Sequence, residues 1–215
     1  MQSVAALHYP NIEYVVVDGA SSDGTLELLQ GYKGLLTRWV SEPDDGIYDA
    51  MNKGIAMATG DWVVMMNAGD TFAASDVLDR IFQEERYSAD VLYGDVIKDG
   101  AIKTAEPPHN SHRMFFCHQS ALMRRTLLLQ YPFDTRHRLS ADFKQIKQLF
   151  LAGYHFVQLP YPVACFDTTG ISNKHRSKGL RDNIAVVRET DSKKEQLRLL
   201  PKLWFVYAMC RLRGK

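Results

Sequence analysis

The chain is poor in cysteine, and the three it has, Cys117, Cys165 and Cys210, are scattered. No CxxC pair occurs and the count is odd. That argues against a disulfide-stapled scaffold or a thiolate zinc site and fits reduced, cytoplasmic thiols. Net charge is scarce too: 26 basic residues face 25 acidic ones, a formal +1. A balance this close to neutral gives no case for nucleic acid as a partner. No apolar run reaches the roughly 18 residues of a membrane-spanning helix, and the first residues carry no basic-then-apolar leader pattern. Internal repeats and low-complexity tracts are missing. So is a glycine-rich, basic loop near the first strand, which a nucleotidyltransferase would need. What remains is globular: 46% apolar and 24% charged over 215 residues, enough for one good core.

The chain is organised around Ser41 to Asp70, SEPDDGIYDAMNKGIAMATGDWVVMMNAGD. Ile47, Ala50, Met51 and Ile55 share one side of a helix over Ile47 to Ala58. Gly60 closes it, and Trp62 to Met66 is apolar enough for a buried strand. Asn67-Ala68-Gly69-Asp70 then sets a carboxylate at the strand's carboxyl end, where open α/β sheets hold ligands. Upstream, Ile12 to Val17 is a β-branched strand. A loop of glycine and small polar residues, Asp18 to Thr25, leads into a helix that Asp23 can cap, and a second strand covers Leu35 to Val40. This alternation predicts a mostly parallel sheet.

Downstream, Ser75 to Glu84 is an amphipathic helix and Asp90 to Tyr93 a strand. Asp99-Gly100, between Val96–Lys98 and Ala101–Thr104, is a type I′ hairpin signal. Ser140-Ala141-Asp142-Phe143 opens a helix reaching Leu151, with Gly153 past its end. Short strands at His155 to Leu159 and Val163 to Phe166 are separated by Pro160 and Pro162. From Lys178 the chain turns helical and strongly charged. Lys202 to Lys215 combines apolar and aromatic residues with basic ones, which suits an interfacial helix rather than a span.

GIYDAMNKGI, then A-x-G-D, then an apolar strand ending in NAGD, resembles the core of family 2 glycosyltransferases. The likeness is closest to the bacterial branch that builds exopolysaccharide, capsule and lipopolysaccharide, and it runs from about residue 1 to about Ser172. It implies the α/β GT-A fold and an inverting transferase that moves a sugar from a nucleotide-diphosphate donor to a glycan or polyprenyl-linked acceptor. In that reading Asp18 holds the nucleotide base, with Asp23 on the same loop. Asn52 orients the nucleotide loop, and Asn67 and His118 face the nucleotide sugar or acceptor. His118 falls on the family's His-Gln strand. Asp70 is the ligand of a Mg²⁺ or Mn²⁺ cofactor, and Asp142 is the catalytic base. Gly170-Ile171-Ser172 matches a loop that can cover the site.

The NAGD tetrad departs from the commoner DSDD form, with Asn67 and Gly69 in place of two positions. Fewer carboxylates leave more of the cation's ligation to the diphosphate. Lys53 faces phosphate or is a solvated helix charge. Family members open with a further strand, of the type SVIIPTYN, for which residues 1–11 offer no counterpart. The expected layout is a GT-A domain over 1–176 without that strand and a helical tail over 177–215. The location expected is cytoplasmic, peripheral on the inner face of the membrane through 202–215. The alternative is a non-catalytic, truncated relative that binds sugar nucleotide or a partner protein.

Overall fold

The computed structural model describes residues 1–83, 88–169 and 176–213. The expected covering loop at Gly170–Ser172 lies outside the described residues. A first turn of helix, α1 (Gln2–Ala5), precedes β1 (Val15–Asp18), three valines and an aspartate. Helix α2 (Thr25–Gly31) connects β1 to β2 (Arg38–Ser41), and the two strands pair in parallel, with Asp18 opposite Ser41. Helix α3 (Ile47–Met57) packs on β1 and ends just before β3 (Trp62–Val64). The remaining strands are β4 (Thr71–Phe72), β5 (Val91–Lys98), β6 (Ala101–Lys103), β7 (Ala121–Arg124) and β8 (Phe156–Phe166).

β1 and β2 form a two-stranded sheet of their own. The other sheet has the order β3-β7-β5-β8-β4, with β6 also paired to β5. The predicted mostly parallel pairing holds for β1–β2 and β5–β8, while the other described pairs are antiparallel. The sheet is therefore mixed, because a tight turn such as the one joining β5 to β6 can only reverse the chain. In that turn Asp99 and Gly100 both have positive φ, 50° and 75°, as type I′ requires.

Two further expectations are corrected. Pro160 and Pro162 do not split β8. The β5–β8 register jumps from Tyr93↔Gln158 to Asp95↔Pro162, and this bulge takes up the prolines where a ladder N–H is not needed. His118 does not lie on a strand either. His118–Ser120 is a 3₁₀ turn, closed by the Ser120 N–H and Oγ, which both donate to the Cys117 carbonyl, and β7 begins only at Ala121.

The core follows the two-residue period of the central strands. Val91 and Tyr93 of β5 and Ala121 and Met123 of β7 face one side. There they meet Tyr48 and Ile55 of α3, Leu127 and Leu128 of α5 (Arg125–Gln130), and Ile146 and Leu149 of α6 (Ala141–Leu151). Leu92 and Leu122 face the other side, against Val77, Leu78 and Ile81 of α4 (Val77–Gln83). Phe143 of α6 belongs to a third cluster, with Ile184, Val186 and Val187 of α7 (Arg176–Thr190) and Leu199 and Leu203 of α8 (Lys193–Leu212). The two C-terminal helices thus back the helix that begins at Ala141.

Candidate active site

The carboxyl end of β1 presents Asp18. Its buried carboxylate accepts from Ser41 Oγ at 2.6 Å and from the Ser21 N–H at 3.0 Å. Hydrogen bonds from Ser21, then from Ser41, hold its pKa below the ordinary carboxylate value. An ionised carboxylate is an acceptor only, suited to base N–H groups. Asp23 sits on the exposed side of the same loop and accepts from the N–H and the hydroxyl of Thr25.

A cavity of about 850 Å³ lies among the β2–α3 connection, the end of β3, β5, the segment after β6 and the start of α6. Asn67, Asp70, His118 and Asp142 all line it. Asp18, Asp23 and Asn52 are not among its lining residues. The Asp18 loop nonetheless abuts its rim, because a Cβ on Gly19 would come 2.4 Å from Asp44 Oδ2, next to the lining residues Asp45 and Gly46. Asn52 points elsewhere: its amide donates to the Phe133 carbonyl and its oxygen accepts the Phe133 N–H, both at 2.9 Å. It ties α3 to the segment that leads into α6. Lys53 is paired with Glu42 and Asp49.

Asp142 occupies the first turn of α6, where the helix dipole favours its charge. Oδ1 accepts from the Tyr48 hydroxyl and from the Phe143 N–H, each at 2.8 Å. Oδ2 lies 3.2 Å from His118 Nδ1, so that nitrogen carries the proton it donates. Burial pushes the Asp142 pKa up, but His118, Tyr48 and the Phe143 amide outweigh it and the net direction is down. Its side chain keeps 19% exposure, so an ionised carboxylate reaches the cavity. Burial and the Asp142 charge raise the Tyr48 pKa well above its usual value, which keeps Tyr48 a donor. Burial likewise pushes the neighbouring Cys117 thiol up to about 11, so it is no nucleophile at neutral pH.

At the end of β3, Asp70 Oδ2 accepts from the Asn67 N–H at 3.1 Å and Oδ1 from the Asp167 N–H at 2.8 Å. Gly69 between them has φ 99°, and a Cβ there would fall 2.1 Å from Asp167 Oδ2. Only glycine lets the two acidic segments approach this closely. Asp167 also lines the cavity, and hydrogen bonds from Thr169 keep it ionised. Two carboxylates on one wall fit a hard divalent cation such as Mg²⁺ or Mn²⁺, with phosphate oxygens and water completing its ligands. The described residues hold one group of three ligand atoms within 4.8 Å of one another, from Asp134, His137 and Glu189. Lys144 fills it: Nζ donates to Asp134 at 2.7 Å and to Glu189 at 2.5 Å, and stands 3.3 Å from His137 Nε2. That cluster is a joint between α6 and α7, not an open metal site.

Sequence reasoning missed Tyr48 and Asp167. Tyr48 sits inside the GIYDAMNKGI stretch, in the first turn of α3, and that placement was the available signal. Asp167 had none, since only tertiary structure sets it beside Gly69.

Residues 1–150 match the family model described as glycosyl transferase family 2. A PGL/p-HBAD biosynthesis glycosyltransferase from Mycobacterium bovis is 33% identical over 156 residues, 66% of this chain and 60% of that protein. The amylovoran biosynthesis glycosyltransferase AmsB from Erwinia amylovora is 24% identical over 198 residues, 80% of this chain and 66% of that protein. Among solved structures, the mannosyltransferase PcManGT from Pyrobaculum calidifontis in complex with GDP-Man and Mn²⁺ superposes with a TM-score of 0.64 at 20% identity. That match covers 89% of this chain and 59% of the archaeal one. The chain thus spans about 60% of the length of the mycobacterial relative. The structural likeness establishes the GT-A fold, and the match over residues 1–150 places this chain in glycosyl transferase family 2.

Proposed function

We propose that this chain transfers a glycosyl unit from a nucleoside-diphosphate sugar to an acceptor hydroxyl in one inverting displacement. The observation that carries the proposal is the setting of Asp142: an ionised carboxylate, held by Tyr48 and His118, in the same cavity as Asp70. Asp142 takes the acceptor proton as the acceptor oxygen bonds to the anomeric carbon. The bond from that carbon to the diphosphate breaks on the opposite face. Asp70, with Asp167, would hold Mg²⁺ or Mn²⁺, and such an ion would stabilise charge on a leaving diphosphate. Asp18 accepts from the nucleotide base, with the loop that carries Asp23 closing around it. Asn67 and His118 border the sugar and acceptor, while Asn52 acts through its clamp on Phe133.

The acceptor in this reading is a glycan or lipid-linked acceptor in cell-surface polysaccharide synthesis. The naming of the relatives for amylovoran and PGL/p-HBAD biosynthesis supports that class. A lipid-linked acceptor would put the reaction at the inner, cytoplasmic face of the membrane. The test is incubation with a panel of nucleotide sugars and Mn²⁺, reading release of nucleoside diphosphate. The Asp142→Asn variant should bind donor as the parent does and lose transfer by roughly 10²-fold or more. Equal loss of donor binding and transfer would make Asp142 structural and overturn its role as base.

A further inference from the structure

Helix α8 is apolar on two opposite faces. One face packs inward through Leu199, Leu203 and Cys210, which are buried. The other is bare: Leu197 is 79% exposed, Phe205 66% and Leu212 82%, with Trp204 also exposed. At 3.6 residues per turn, these four residues, with the exposed Pro201 and Ala208, fall within an arc of about 100°. From Leu197 to Leu212 the arc runs about 22 Å, with exposed Lys194 inside it near the start of the helix. Basic residues border it on both sides by the same geometry, Lys193 and Arg211 along one edge, Arg198, Lys202 and Arg213 along the other. Glu195 is the one acid on the helix, and it is paired with Arg198 at 2.5 Å. The sequence pattern alone suggested the stretch from residue 202 onward. The structure moves it, because Leu203 and Cys210 are committed to the core while Leu197 joins the free face.

We propose that this bare face of α8 lies flat on a membrane surface containing anionic lipid. No helix among the described residues is long and apolar enough to cross a membrane, so burial to the depth of the side chains is the available mode. Charge selects the occupant. A second copy of the chain, docked face to face, would bring basic edges against basic edges. An anionic headgroup layer meets both edges with opposite charge while the acyl boundary takes Leu197, Trp204, Phe205 and Leu212. Trp204 is positioned for this, with the Arg188 guanidinium 5.7 Å from its ring centroid and the Tyr207 ring edge-on at 5.8 Å.

The test is vesicle flotation of the full chain, with phosphatidylcholine alone and with phosphatidylcholine and phosphatidylglycerol in equal parts. The chain should float with the mixed vesicles, and less so as salt rises. Leu197→Ser with Phe205→Ser should cut the bound fraction by roughly 10-fold or more. Both positions are exposed, so an unchanged melting curve shows that the fold survives. Lys202→Glu with Arg211→Glu should abolish the preference for phosphatidylglycerol. The proposal is overturned if the parent chain floats with neither vesicle, or if the serine variant floats as well as the parent. It is equally overturned if the parent is a solution dimer that the serine substitutions dissociate. The assay reads lipid binding alone, so its outcome is independent of the sugar-transfer reading.

Discussion

The Tyr48 hydroxyl donates to Asp142 Oδ1 at 2.8 Å, joining the first turns of α3 and α6 across 94 residues of sequence. The ring of Tyr48 is held from the other side by Phe133, at 5.3 Å between centroids. Two helices thus meet at one carboxylate, and the aromatic contact fixes the donor that keeps it charged.

Tyr48→Phe should keep the ring contact and remove only the donor. A hydrogen bond to a charged group favours its ionised form, so the Asp142 pKa should rise in the variant. In the parent chain that pKa is depressed. The acid limb of the transfer rate should therefore lie below the ordinary carboxylate range and move to higher pH in the variant. A pH–rate profile checks the direction, and an unmoved limb would take Tyr48 out of the arrangement.

Gly69→Ala introduces a Cβ that cannot coexist with Asp167 as placed, on a backbone that disfavours any side chain. Mn²⁺ affinity in the presence of UDP should fall by roughly 10-fold or more, as when the groups supporting a ligand are displaced. Gly100→Ala is the control. Its φ is also positive, 75°, but nothing lies within 4 Å of the new Cβ. That variant should lose about 1–2 kcal/mol of stability and bind Mn²⁺ normally. Titration calorimetry and melting curves separate the two effects.

Asn52→Ala removes both hydrogen bonds to the Phe133 backbone and leaves its N–H and carbonyl unpaired beneath α3. The cost should be about 1–3 kcal/mol in denaturant unfolding. Donor affinity per folded molecule should change little, since Asn52 does not line the cavity. A selective loss of nucleotide binding, without loss of stability, would restore it as a direct ligand.

Lys144→Met leaves Asp134 and Glu189 facing each other without the ammonium between them. Breaking a buried pair costs roughly 3–5 kcal/mol, but Glu189 is 43% exposed, so about 2 kcal/mol is expected here. The parent chain carries a matching acid dependence. Hydrogen bonds from Arg136 to Asp134 and from Lys144 to Glu189 hold both carboxyl pKa values down. A depressed carboxylate stabilises the fold above its unfolded value, roughly 4, and that contribution is lost as pH falls below it. Melting temperature measured from pH 6 downward should therefore drop below about pH 4 in the parent and less steeply in Lys144→Met.

Local demands were legible in the sequence and distant ones were not. The Asp99-Gly100 turn could be read because two positive φ angles restrict residue choice on the spot. The α6 boundaries could be read because a first-turn acid and a terminal glycine answer the helix's own ends. His118 was set on a strand because nothing local announces that Ser120 folds back onto the Cys117 carbonyl. The prolines of β8 looked like a break because the bulge that accommodates them depends on the β5 register. Asn52 read by its motif as orienting the nucleotide loop, while the backbone partner of its amide, 81 residues away, could not be read locally. In the candidate site, Asp142 and Asp70 stood out through the family resemblance, one at a helix start and one at a strand end, whereas Asp167 needed the fold.

Lys144 has one more consequence. It is a counter-ion tethered to the helix whose docking it secures, so it cannot be diluted, exchanged or stripped. A metal holding Asp134, His137 and Glu189 would leave with a chelator, and α7 with its partner α8 would loosen. With an ammonium there, a chelator has nothing to remove from this joint. The joint behind Asp142 keeps its charge balance whatever the supply of divalent ions, and gives way as acid neutralises its carboxylates.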